Sequence, residues 1–201
     1  MASTYSLAVQ PLVVSVIDAV ETLVARVPPS REKASDSPSA AAKGVARKAA
    51  SRAAALSGAL ALPPGALGML TVVPDLVAIW RIQTQMVADV AGLYGKDMEL
   101  TRTHMLYCLF RHASSQLARD AVVRAGQRFV VRQLSGGALK SVLTSIGISA
   151  TQRLAGTTAS RWVPVIGAAA VAGYAYFDTV QVAKTAIRLL EVTAPEPSPQ
   201  S

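Results

Sequence analysis

The stretch 53–74 contains no charged residue, and Pro63-Pro64-Gly65 stands in its middle. An apolar run of about 20 residues is long enough to carry a helix across a bilayer. Two adjacent prolines, however, remove two backbone donors and push the residue before them out of the helical region. The segment is therefore expected to bend into two short helical arms instead of forming one straight span. Such arms could dip into a membrane or pack as a buried hairpin. A second uncharged arm occupies 162–177 and ends at Asp178. Charge collects between the two: from Arg111 to Arg161 eight basic residues (Arg111, Arg119, Arg124, Arg128, Arg132, Lys140, Arg153 and Arg161) stand against Asp120 alone, a net of +7. A block of that sign suits an anionic lipid surface or an acidic protein partner.

Other classes fall away on composition. Hydrophobic residues make up 51% of the chain and there is a single cysteine, which excludes both a disordered chain and a disulfide-stapled domain. Charged residues make up only 16%, well below the usual quarter, so membrane contact or an unusually dry core is indicated. The first seventeen residues carry no Lys or Arg, and Asp18 and Glu21 follow where a signal peptide would have its small-residue cleavage site. With Cys108 unpaired, these features place the chain in the cytoplasm, at the inner face of the cytoplasmic membrane.

The periodicity is helical throughout. Over 11–27, Val13, Val16, Ile17, Val20, Val24 and Val27 mark one face of an amphipathic helix, with Pro11 suited to its first position. The polar run opened by Pro28-Pro29 has no apolar period, so 28–42 is expected to be a linker tethering that helix to a compact domain over 43–191. Lys43, Arg47, Lys48 and Arg52 give the first helix of that domain a basic face. A longer helix is expected from Asp75, as N-cap, to a stop at Gly95, and another from about Asp97 to Leu117. A last helix should run from Val165 to Leu190, with Gly167, Ala169, Ala170 and Gly173 as a stripe for close helix approach. The proline-containing tail 192–201 is expected to be disordered. No window alternates with period two, so the fold class is all-α, a compact bundle of glycine- and alanine-rich helical hairpins.

Several of these segments carry a familiar pattern. Leu62-Pro-Pro-Gly-Ala-Leu-Gly68, Val73-Pro-Asp-Leu76, Leu93-Tyr-Gly-Lys-Asp97, Val163-Pro-Val-Ile-Gly-Ala168 and the helix from Tyr176-Phe177 to Ala183 together resemble the EcsC family of bacterial proteins, over about residues 53–190. The family is named for a protein encoded with an ABC transporter. The resemblance implies a largely helical protein and carries over no agreed biochemical activity.

Three groups of residues could carry chemistry. His104, Cys108 and His112 recur at i, i+4 and i+8, the residue types that bind zinc or haem iron. Spread over about 12 Å of helix, only two of them can reach one ion, and no further His or Cys exists to complete the set, so no metal or other cofactor is expected. Asp75, Arg81, Asp89 and Asp178 lie in or beside apolar helices, where burial would force them into a polar network. Arg124, Arg128 and Arg132 recur every fourth residue opposite Val122, Val123, Phe129 and Val130, as in a helix lying on a membrane surface or against an acidic partner. Nucleic acid fits poorly, because few of the ten aromatics stand beside the arginines and no reader motif is present. No nucleophile elbow, zinc-protease or phosphate-loop motif occurs, so no catalytic residue is assigned. The resulting expectation is a non-enzymatic accessory or scaffold protein engaging the bilayer or a membrane protein. A soluble module for a lipid or apolar ligand is the alternative, and a metal-dependent enzyme ranks last.

Overall fold

A computed structural model of the chain describes residues 2–60, 72–112 and 164–192. Among the described residues there are five α-helices and no strand: α1 (Ala2–Ala25), α2 (Pro38–Leu60), α3 (Val72–Leu93), α4 (Arg102–Phe110) and α5 (Pro164–Val192). A 3-10 turn, Asp97–Glu99, leads into α4. The all-α expectation holds.

Helix boundaries follow local chemistry. Both α2 and α5 begin on a proline, whose missing N–H costs nothing in the first turn. At its other end α3 closes on Gly95, at φ 67°, with Gly95 N donating to Gly92 O (2.9 Å) and Lys96 N to Ala91 O (2.9 Å). This is a Schellman closure, and the stop expected at Gly95 is found there. Four starts differ from expectation. α2 begins at Pro38, so the last five residues of the expected linker 28–42 are helical. α1 begins at Ala2 and passes through Pro11, whose φ is already helical, at the loss of one hydrogen bond. α3 begins at Val72, so Asp75 stands in its first turn instead of capping it. α4 begins at Arg102 and not near Asp97, because Thr101 is the N-cap: its side chain accepts from His104 N, and His104 Nδ1 in turn accepts from Thr101 N.

The helices pack around one core. α2 buries Ala42, Ala46, Ala49, Ala50, Ala53 and Ser57, a stripe of small side chains that lets α5 approach closely. Near its end, a Cβ on Gly58 would stand 3.4 Å from Ala172 Cβ and 3.9 Å from Ala168 O. Because α2 and α5 pack along their lengths, that contact makes them antiparallel. The stripe on α5 is displaced from the one expected: Ala175 is buried and Ala168 and Ala172 half-buried, whereas Ala169, Ala170 and Gly173 face outward. Neighbouring helical positions lie 100° apart, so a shift of one residue selects another face.

α3 runs parallel to α5. Gln83 meets Asp178 and Thr179, and Lys96, just past α3, donates to Leu190 O (2.9 Å). Met105, Leu106, Cys108, Leu109 and Phe110 of α4 are buried, with Phe110 edge-on to Trp80 at 5.4 Å between ring centroids. α1 contributes Val16, Val20 and Val24 to the same core.

The segment 28–37 forms no helix, but it lies along α3 with regular hydrogen bonds. Gln85 Nε2 donates to Pro29 O (3.0 Å), Arg31 N to Asp89 Oδ1 (2.9 Å), and Ser35 N to Leu93 O (3.0 Å). It presses on α3 at Gly92, where a Cβ would lie 2.7 Å from Glu32 O. The connection is thus a strap as well as a link.

Candidate functional site

These directions bring three helix ends together: the end of α2 and the starts of α3 and α5. Each is the uncharged part of its helix, apart from Asp75, whose side chain lies outside the described residues. α2 has no charge after Arg52, α3 none from Leu76 until Arg81, and α5 none until Asp178. Large apolar groups face outward here, with Phe177 59% exposed, Tyr176 40% and Leu60 36%. Among the described helices none is long and apolar enough to cross a membrane. From Pro164 to Phe177, α5 extends about 20 Å, the depth of one leaflet and well short of a bilayer.

Just behind this apolar end lies a polar cluster in the core. Asp178 receives His112 Nε2 on Oδ1 (2.7 Å) and Gln83 Nε2 on Oδ2 (2.9 Å). Gln83, fully buried, also donates to Thr179 Oγ1 (3.2 Å), which donates to Ala175 O (2.8 Å). The carboxylate ties α3, α5 and the turn after α4 together. Two buried atoms, Gln83 Oε1 and His112 Nδ1, have no partner among the described residues.

Of the four network residues expected from the sequence, the side chain of Asp75 lies outside the described residues, and the other three do not meet one another. Asp178 belongs to the cluster just described. Asp89 stands apart, its Oδ1 held by Arg31 N and by Gln85 Nε2 (2.8 Å). Arg81 is exposed and pairs with neither carboxylate. Gln83 and His112, the actual partners of Asp178, were not assigned to a network by sequence reasoning. The signal for Gln83 lies in its position: it falls in the buried stripe with Val87 and Val90, where a polar side chain requires a partner.

The His104, Cys108 and His112 series divides among three tasks. His104 caps α4; burial lowers its pKa, opposed in part by the Glu99 carbonyl and carboxylate. Cys108 is fully buried, and burial pushes its thiol up to about 12, so it is a core side chain and not a nucleophile. His112 is occupied by Asp178. Among the described residues no three His, Cys, Asp or Glu side chains are grouped to hold a metal. Arg124, Arg128 and Arg132 lie outside the described residues.

At the opposite end, a half-open depression of about 270 Å³ lies between the strap and the 3-10 turn, lined by Val27, Pro28, Pro29, Ser30, Ala88, Asp97, Met98 and Leu100. Its mixed lining offers no convergent set of polar groups.

The family model that matches the chain is that of the EcsC protein family, over residues 38–192. The chain belongs to the EcsC family. The match begins on the first residue of α2 and ends on the last of α5, so the EcsC unit is the α2–α5 bundle, and α1 with its strap packs on it from outside the match. No curated protein and no solved structure matches the chain.

Proposed function

We propose that this EcsC protein is a peripheral membrane accessory protein, non-enzymatic, seated on the cytoplasmic leaflet by its apolar end. The observation that carries the reading is the gathering of three uncharged helix ends in one place, with Phe177 and Tyr176 outward among them. Exposed aromatic rings beside uncharged backbone suit the boundary between headgroups and acyl chains. The eleven-residue connection 61–71 joins two of these ends, and its sequence too is uncharged. The basic block with Arg124, Arg128 and Arg132 adds attraction to an anionic surface. The described helices favour entry into one leaflet over a span.

Fractionation of cells expressing the untagged chain tests this. Recovery with membranes that survives a high-salt wash and yields to carbonate is the expected result. A wholly soluble protein overturns the reading and promotes the module for a lipid or apolar ligand. Retention through both washes replaces peripheral seating by insertion.

A further inference from the structure

We propose that the apolar end is ringed by a collar of exposed cations, Arg52, Arg81, Lys48 and Lys184, that binds the phosphates of anionic lipid headgroups; this rests on the membrane reading above. The helix directions set the level of each cation. Arg52 precedes Gly58 by six residues, about 9 Å along the axis, and since α2 is antiparallel to α5 this brings Arg52 level with Tyr176. Arg81 precedes Gln83 by two residues, and Gln83 bonds Asp178, so Arg81 stands level with Tyr176 and Phe177. Lys48 and Lys184 follow one to two turns further from the apolar end. α2 and α3 thus change from uncharged to cationic at nearly the same height, and the first cation of α5, Lys184, lies about 12 Å beyond Tyr176, after Asp178.

All four cations are exposed, and among the described residues none forms an ion pair. The acidic residues of the three helices on this side are Asp75 on α3 and Asp178 on α5, and α1, which packs on α3, adds the exposed Asp18 and Glu21. α2 has no Asp or Glu, and Asp178 is engaged by His112 and Gln83. Glu32, Asp36, Asp97, Glu99 and Glu191 all belong to the opposite end, by the strap, the 3-10 turn and the close of α5. Arg52 and Arg81 stand at the height of the aromatic rings and Lys48 and Lys184 further back, which matches the headgroup boundary, where aromatic belts and lipid phosphates adjoin. A nucleic acid would meet the cations but leave the apolar end exposed to water.

The test is flotation of the full chain with vesicles of phosphatidylcholine alone and of phosphatidylcholine with phosphatidylglycerol. Binding should favour the anionic vesicles and weaken with salt. Arg52→Gln/Arg81→Gln should reduce that preference by about fivefold per cation. The control Lys33→Gln/Arg102→Gln removes the same charge from exposed positions at the opposite end and should change it little. Equal loss in both double variants overturns the collar, since net charge alone would then explain the binding. Equal binding to both vesicles by the unaltered chain overturns it too, while leaving the apolar seating intact. Binding to neither vesicle overturns the membrane reading beneath it. Thermal unfolding of each variant checks that the fold is kept.

Discussion

The two ends of the α2–α5 bundle are built on opposite principles. At the end where α3 stops, polar groups have partners: the Schellman closure at Gly95, Lys96 on the Leu190 carbonyl, Thr101 and His104 capping each other, and the strap bonded along α3. At the other end the helices meet through alanine and glycine, and their large side chains Phe177, Tyr176 and Leu60 face outward. The first arrangement fixes the chain internally. The second leaves apolar surface that nothing in the described residues covers, which is how an interaction surface differs from a core. The Asp178 cluster sits at the border, and its integrity decides whether the apolar end can hold its shape.

The largest expected effect therefore belongs to Asp178. Asp178→Ala removes the acceptor of both His112 and Gln83 and should cost about 3 kcal/mol, since the remaining buried groups lose their partner. Urea unfolding measures it. Asp178→Leu/His112→Leu should recover part of it, because replacing both removes the unpaired imidazole, while Gln83 keeps Thr179 as its acceptor. A single-variant cost below about 1 kcal/mol would show that the border cluster does not hold the two ends together. Next comes Gly92→Ala at the polar end, where the new Cβ meets Ser30 and, at 2.7 Å, the Glu32 carbonyl. Since a backbone atom must move, we expect about 2 kcal/mol. Trypsin cleavage after Arg31 and Lys33 should rise with it as the strap loosens. Unchanged cleavage would show the strap to be held elsewhere.

Much of this contrast was legible in the sequence. The uncharged runs, the basic face of α2 and the glycine stop of α3 each depend on local composition or turn chemistry, and each lies where periodicity had put it. What was hidden depends on how helices meet. The expected stripe Ala169-Ala170-Gly173 missed the packed face because a helix presents several faces of small residues, and only its neighbour chooses between them. Asp75, Arg81, Asp89 and Asp178 read as one network in sequence, but Asp89 is taken by the strap backbone, an acceptor–donor match no side-chain pattern announces. Gly92 likewise gives no signal until another segment crosses it. The alignment of Arg52 on α2 with Arg81 on α3 required knowing which helices run antiparallel.

A smaller effect should sharpen the account of the polar end. Burial lowers the His104 pKa, and Nδ1 must be unprotonated to accept from Thr101 N. A lowered pKa in the folded state means that the unfolded chain binds the proton more tightly. The contribution is thus complete above the ordinary value of about 6.5 and is lost as pH falls through the lowered one. Melting temperatures between neutral pH and mildly acidic pH should fall more steeply for the unaltered chain than for His104→Gln, which keeps a capping acceptor that does not titrate. Parallel pH profiles for the two proteins would remove His104 from the account.

The smallest expected change in stability lies at the apolar end, and there its smallness is the informative result. Phe177 and Tyr176 face outward, so replacing both with serine should alter unfolding free energy by no more than about 0.5 kcal/mol. A core aromatic such as Trp80, which is buried against Phe110, should by contrast cost about 3 kcal/mol or more on truncation to alanine. The same serine variant should lose most of its binding to phosphatidylcholine vesicles containing phosphatidylglycerol, because rings that face outward are free to enter the headgroup boundary. Two outcomes would break the comparison between the ends. A stability loss comparable with that of Trp80 would make these rings part of the core. Undiminished vesicle binding would mean that the apolar surface serves another contact.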